Sequence, residues 1–305
     1  MTKLIKVASV IFEEEHLRGQ PGAEDIVFKE TEKKLDGLKG FGLNLVVLSE
    51  GIEAVGLKIW EAESVSSPGR YLNLYREFAV SERCHVAGSV KLKEGGKVFN
   101  SVAIISPEGK IQGAYHKANL TVGEIEAGLS PGRGAVVIDT EIGRIGGLIC
   151  FDLNFRWLRD QYAALRPDIL VFPSMYHGGF MQRIWAYECH SFFISALAFS
   201  GGGILDPLGT PLNLTDRYNR TAIAEINIDR AIVHLDFNWE KFPEIKRKYG
   251  NEIEIDIPPD IGSALIYSRS GKRTAIDIVR EFGLEPLDKY FERALNINSD
   301  KRSPG

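Results

Sequence analysis

The sequence predicts an α/β fold, and three features of the chain point to it. Apolar runs rich in Val and Ile alternate with amphipathic stretches of helical period. Several runs are joined in pairs by short turns containing Gly or Pro, the signature of hairpins. A length of 305 residues, 44% of them apolar, supplies core enough for one large domain. Strands and helices interleave along the chain, which is the α/β arrangement.

The elements follow in order. Leu4 to Phe12 reads as a strand, and Ala23 to Lys39 as a helix with Val27, Leu35 and Leu38 on one face. LNLVVLSE, residues 43–50, is an almost unbroken apolar run suited to a strand covered on both faces, and it stops at Ser49 and Glu50. A helix over Tyr71 to Cys84 leads to a strand from His85 to Lys91. NSVAIISPEGKIQGAYHK gives a hairpin about Pro-Glu-Gly-Lys, and AVVIDT followed by RIGGLIC gives a second about Glu141 to Gly143. The predicted helix Arg156 to Arg166 is stopped by Pro167; the strand DILVFP, a helix over Gln182 to Ser191 and the strand FFISALA come next. The hairpin GGGILDPLGTPL and the strand TAIAEIN close a domain of residues 1–228. Residues 229–305 carry many charges and few long apolar runs, so they read as a C-terminal arm for packing or oligomerisation, not as a second core. Thr274 to Leu295 is expected to hold a helix or two, and NSDKRSPG to be disordered.

The net charge is −4 with acids and bases interleaved, which argues against nucleic acid as a partner. MTKLIKVASVIFEEEH lacks a signal-peptide pattern, and no run approaches 18 apolar residues, so no membrane partner is predicted. Three cysteines, Cys84, Cys150 and Cys189, are an odd number in a long chain and suit a reducing, cytoplasmic setting.

Gly128-Leu129-Ser130-Pro131-Gly132 fits the G-x-S-x-G pattern of a serine nucleophile. Its context refuses that role, because the residue after the serine must give an N–H to the oxyanion and Pro131 has none; a tight turn is expected instead. His16, His85, His116, His177, His190 and His234 form no H-x-H or H-E-x-x-H, and no Cys pair has ligand spacing, so no catalytic metal is predicted. No glycine-rich phosphate loop supports a nucleotide, and the cofactor expectation is none.

Cys150 follows the apolar run Ile145 to Ile149 directly, at the strand end where ligands gather in α/β sheets. Taken alone, a free cysteine is more often an inert packing group. Glu50 ends LNLVVLS in the same way, and Lys117 follows the second strand of a hairpin. A thiol, a carboxylate and an ammonium at three strand ends form a working set for acyl transfer. A different pairing, of Cys150 with His177 or His190, leaves Glu50 and Lys117 without roles.

Glu50 in LSE, Lys117 in AYHK and Cys150 in GGLICFD together resemble the Glu-Lys-Cys triad of the nitrilase superfamily of carbon–nitrogen hydrolases. The resemblance runs over about residues 4–228 through KVASV, NSVAIISPEGKIQGAYHK, LSPG, ICFDLNF, ILVFPS, AYECHSFFISALA and ILDPLG. It implies a four-layer α-β-β-α sandwich of two mixed sheets, and a homodimer or higher homo-oligomer. It also implies a mechanism. A free thiol has a pKa near ~8.5, so Cys150 needs a base; Glu50 takes the proton, which calls for a pKa raised by a semi-buried site. Lys117 and the backbone N–H of Phe151 stabilise the oxyanion, each contributing on the order of 3 kcal/mol. A second glutamate holds the lysine, and TVGEIEAGLSPG offers Glu126, preferred for its nearness to the L-S-P-G turn, or Glu124.

Nitrile-cleaving members typically carry Trp-Glu after the cysteine, whereas this chain has Phe151-Asp152, which with Asn154 implies an amide or N-carbamoyl substrate and release of ammonia. A nitrilase, or a catalytically idle member that binds a small amide or serves in assembly, are the alternatives. The family's Pro-Glu after the cysteine is replaced by Arg156-Trp157, and its Arg-Ala-x-Glu reads Trp185-Ala186-Tyr187-Glu188. Substrate contacts are expected from Tyr176 and His177, and from loops near Ile52 to Ala54 and Tyr176 to Gly178.

Overall fold

The computed structural model of the chain describes residues 4–52 and 61–302. It divides into two compact units, Ile5–Ile226 and a C-terminal unit that starts at Asn227.

The first unit runs β1 (Leu4–Val10), α1 (Ala23–Asp36), β2 (Leu45–Leu48), α2 (Arg70–Glu82), β3 (His85–Glu94), β4 (Lys97–Ile105), β5 (Ile111–His116), α3 (Val122–Glu126), β6 (Val137–Thr140), β7 (Gly143–Gly147), α4 (Arg156–Leu165), β8 (Ile169–Ser174), α5 (Met181–Cys189), β9 (Phe192–Leu197), β10 (Gly203–Leu205), β11 (Pro211–Leu214) and β12 (Thr221–Asn227). Two six-stranded sheets result, ordered β12-β1-β2-β3-β4-β5 and β11-β10-β9-β8-β7-β6. Both are mixed: β1, β2 and β3 run parallel, as do β7, β8 and β9, and antiparallel hairpins extend each set. This is the four-layer α-β-β-α sandwich. Every residue of β2, β8 and β9 is buried, as strands covered on both faces must be.

The layers close tightly where β7 lies. A side chain at Gly147 would come within 2.8 Å of Val102 and 2.9 Å of Tyr115 in the other sheet, and one at Gly146 within 2.7 Å of Tyr162 on α4. The two glycines therefore admit a sheet on one face and a helix on the other. Across the sandwich the Ser9 hydroxyl donates to the Ser195 carbonyl at 2.6 Å.

The β4–β5 hairpin carries a bulge. Ile105 pairs with Ile111 but Ile104 with Gly113, so Gln112 is an extra residue, and beyond it Ser101 faces His116. Continuing that register sets Lys117 opposite Asn100, whose carbonyl accepts the Lys117 N–H at 2.8 Å.

The second unit comprises β13 (Arg230–His234), α6 (Phe242–Tyr249), β14 (Ile253–Asp256), β15 (Ser263–Ser268), α7 (Ala275–Glu281) and α8 (Leu287–Arg302), its antiparallel sheet ordered β13-β15-β14. Val233, Ile245, Ile253, Ala264, Ile266, Ala275 and Ile278 form a core of its own. The expectation of an arm without a second core is thus corrected. In β13 and β14 buried residues alternate with more accessible ones, so one-sided burial spreads the apolar residues out among charges and leaves no long apolar run to read. The expected disorder from Asn298 is corrected as well: α8 continues to Arg302, its last turn carrying Lys301 and Arg302 where cations favour the helix dipole. Among the described residues no helix is long and apolar enough to cross a membrane.

Candidate active site

Cys150 lies past β7, after the buried Leu148 and Ile149. It has a φ of 48°, a left-handed conformation uncommon outside glycine, and opens a 3-10 turn over Cys150–Asn154; α4 begins only at Arg156. Strands β7 and β8 are parallel neighbours, so the end of β8 at Ser174 and Met175 borders the same place. Glu50, two residues past β2, reaches it from the other sheet: its Oε2 accepts the Met175 N–H at 2.9 Å, while Ser49 donates to the Ser174 carbonyl at 3.3 Å.

Lys117 follows β5, is 1% exposed and donates from Nζ to Glu50 Oε1 at 3.1 Å and to Glu124 Oε1 at 2.9 Å. Asn100 Nδ2 donates to the same two oxygens, at 2.8 Å each. One ammonium and one amide are thus shared between two carboxylates in a closed buried ring. Asn100 is a site residue that the sequence reading missed, and the hairpin register is the signal that leads to it.

Glu124, not the preferred Glu126, is the glutamate beside Lys117. Thr121 caps α3 by accepting the Glu124 N–H at 3.3 Å, while Glu124 Oε2 accepts the Thr121 N–H at 2.8 Å and its hydroxyl at 3.0 Å. This reciprocal box holds the third residue after the cap and folds its side chain back. Thr121-Val122-Gly123-Glu124 spells that box in the sequence, whereas Glu126 is exposed on the next turn. Proximity to the L-S-P-G turn was the misleading cue. Residues 128–132 are no nucleophile elbow. A turn ends at Gly128, and the following coil tethers the lysine segment, Gly132 N–H to the Lys117 carbonyl at 2.8 Å.

These contacts set the charges. Burial works against the Lys117 ammonium, but Glu50, the Cys150 sulfur and Glu124 together outweigh it, and the lysine's pKa lies above its ordinary value. Burial likewise works against the Glu124 carboxylate, yet Lys117, Asn100 and the Thr121 N–H bring its pKa below the ordinary value. For Cys150, burial and then the negative charge of Glu50 push the thiol up to about 12, against the opposing pull of Lys117 and Ser174. The resting thiol therefore holds its proton at neutral pH. A carboxylate offers about four acceptor positions; at Glu50, Lys117, Asn100 and Met175 occupy three, and the Cys150 thiol is the further hydrogen-bonding neighbour.

The remaining predicted residues lie as follows. Phe151 is 37% exposed, its ring edge-on to Phe155 at 5.2 Å, and its N–H belongs to the turn that Cys150 opens. Tyr176 and His177 sit on the exposed β8–α5 loop, directly after the Met175 that contacts Glu50. Of the loop expected at Ile52 to Ala54, Ile52 is buried and residues 53 and 54 lie outside the described residues. Glu188, without its family arginine, pairs with Arg159 of α4. His190 pairs with Arg166 at the end of α5, while the charged neighbours that act on Cys150 are Glu50 and Lys117. Among the described residues no cluster of three or more His, Cys, Asp or Glu could hold a metal ion.

A sandwich of two mixed sheets thus brings a glutamate, a lysine and a cysteine to one point. The carbon-nitrogen hydrolase family model matches residues 21–232, and the chain belongs to that family. It is 25% identical over 236 residues to the human protein named omega-amidase NIT2, covering 68% of this chain and 81% of that one. The zebrafish (Danio rerio) protein of the same name is 23% identical over 238 residues, with the same coverage. Among solved structures, XC1258 from Xanthomonas campestris, described as a CN-hydrolase superfamily protein with an arsenic adduct in the active site, superposes with a TM-score of 0.62 at 19% identity, covering 81% of this chain and 95% of that one. An amidase from Nesterenkonia sp. gives 0.60 at 15% identity, covering 80% and 96%.

Proposed function

We propose that this hydrolase cleaves a small amide or N-carbamoyl compound through a cysteine thioester, releasing ammonia. The observation that carries the reading is the Lys117 ammonium held between Glu50 and Glu124 beside the Cys150 thiol. When a carbonyl carbon meets the sulfur, the thiol proton passes to Glu50 as the C–S bond forms. The carbonyl oxygen becomes an oxyanion facing Lys117 Nζ and the Phe151 N–H. Collapse breaks the C–N bond, and Glu50 returns its proton to the leaving nitrogen, so ammonia departs and a thioester remains. Water, deprotonated by Glu50, then attacks the thioester and restores the thiol.

A base is needed because the thiol's pKa is about 12, and Glu50 is placed to serve. Glu124 is the second glutamate of the reading: its lowered pKa keeps it an anion that holds the lysine. Two similarities support the chemistry. The human relative carries the name omega-amidase. A glutamate-to-glutamine mutant of the Nesterenkonia amidase, with a TM-score of 0.60 at 14% identity, is described with the acetamide moiety of fluoroacetamide covalently added at its active-site cysteine.

Tyr176 and His177 would contact the substrate's acyl portion, and the second unit would serve pairing of copies in a homo-oligomer. Ammonia release from a panel of aliphatic amides, N-carbamoyl amino acids and nitriles tests the reading. The parent should turn over at least one amide or carbamoyl compound, and Cys150→Ala none. Equal release by parent and variant would end it, and turnover confined to nitriles would replace it with a nitrilase.

A further inference from the structure

We propose that Asp152 is a positioning residue that locks the lysine-bearing segment to the turn of the nucleophile, so that Lys117 and the Cys150–Phe151 backbone keep one relative placement during turnover. The proposal rests on the catalytic reading above.

The Asp152 side chain is fully buried two residues past the thiol and accepts hydrogen bonds from three residues on two stretches of chain. Oδ2 accepts the Tyr115 hydroxyl at 2.7 Å and the Ile149 N–H at 3.0 Å. Oδ1 accepts the Asn119 N–H at 2.7 Å and its side-chain amide at 2.9 Å. Tyr115 and Asn119 stand two residues before and after Lys117, and Ile149 and Asp152 bracket Cys150 and Phe151. The Tyr115 hydroxyl also accepts the Ala118 N–H at 3.1 Å, and the Trp157 indole donates to the Asn119 side-chain oxygen at 3.1 Å, which extends the lock to α4.

Four donors match the four acceptor positions of a carboxylate. An asparagine has one acceptor oxygen, and its NH₂ group would face donors. Burial pushes the pKa of Asp152 up to about 6 even against these hydrogen bonds. At neutral pH the group still carries its charge, and with it the acceptors that the four donors require, which suits a tie that serves geometry. The residue that hints at bond type in the sequence therefore spends its oxygens on the scaffold, away from any substrate.

The test uses the full chain with Asp152→Asn, Asn119→Ala and Cys150→Ala, assayed on the panel compound that the parent turns over fastest, with thermal melting as the check on folding. Loss of the lock should lower kcat about a hundredfold in Asp152→Asn with KM within about threefold, because a misplacement near 1 Å costs that much. Asn119→Ala should lower kcat about tenfold, again with KM held, and it decides the matter should Asp152→Asn fail to fold. Combining Asp152→Asn with Asn119→Ala should lose no more than the worse single variant, since both cut the same tie. Parental kcat in a folded Asp152→Asn, or a loss confined to KM, overturns the proposal. Persisting turnover in Cys150→Ala removes the catalytic reading and this one with it, whereas an inactive Cys150→Ala beside a fully active Asp152→Asn removes this one alone.

Discussion

Glu50, Asn100 and Lys117 beside Cys150 are 5%, 7% and 1% exposed, whereas Tyr176, two residues past the Ser174 that hydrogen-bonds the thiol, is 51% exposed. In the first region the polar side chains hold one another through hydrogen bonds of 2.8–3.1 Å. In the second, the ring of Tyr176 stands 6.4 Å from that of His177 on a loop whose backbone is tied to the Ser174 hydroxyl. Buried charges are costly unless paired, so the first region tolerates no free choice of residue. The exposed loop carries no such constraint.

Perturbing the two regions should give unequal results. Cys150→Ala and Lys117→Met should each lower kcat by at least about 10³-fold, measured by ammonia release, because in the proposed mechanism each removes a group that acts on the reacting atoms. The thiol supplies the next contrast. Its pKa is raised to about 12, so the reactive thiolate grows about tenfold per pH unit above neutrality. Iodoacetamide labelling of Cys150 should therefore rise without a plateau from about pH 7 to about pH 10, and a plateau near ~8.5 would mean that the thiol is not held protonated as described. Glu124→Gln should cost about 30-fold or more in kcat, while Tyr176→Ala should move KM by less than about tenfold and kcat hardly at all. The smallest change belongs to Glu126→Gln, expected within about twofold of the parent; a large loss there would return the second glutamate to its sequence-based assignment.

Much of the first unit was legible because its strands carry two-sided burial. LNLVVL and ILVFPS announce themselves as apolar runs, and the polar residues that end such runs were the natural candidates for Glu50 and Cys150. The cluster's other half was less legible. Asn100 lies inside a strand and becomes visible only through its cross-strand partner, and Glu124 is selected by a capping box against a rival two residues away. The second unit hid for another reason: β13 and β14 alternate buried residues with more accessible ones, and β14 reads IEID, a pattern that its charges make easy to take for loop.

The extra residue Gln112 leaves the β4–β5 hairpin one residue of slack, and the slack is unequal in its two directions. A chain shorter by one between Ile111 and His116 could straighten the strand and still deliver the ammonium opposite Asn100. A chain longer by one, keeping a single bulge, would bring His116 there instead. Deletions in this hairpin should accordingly be survivable where insertions are not, so the site can lose its cation while every residue of it is still encoded.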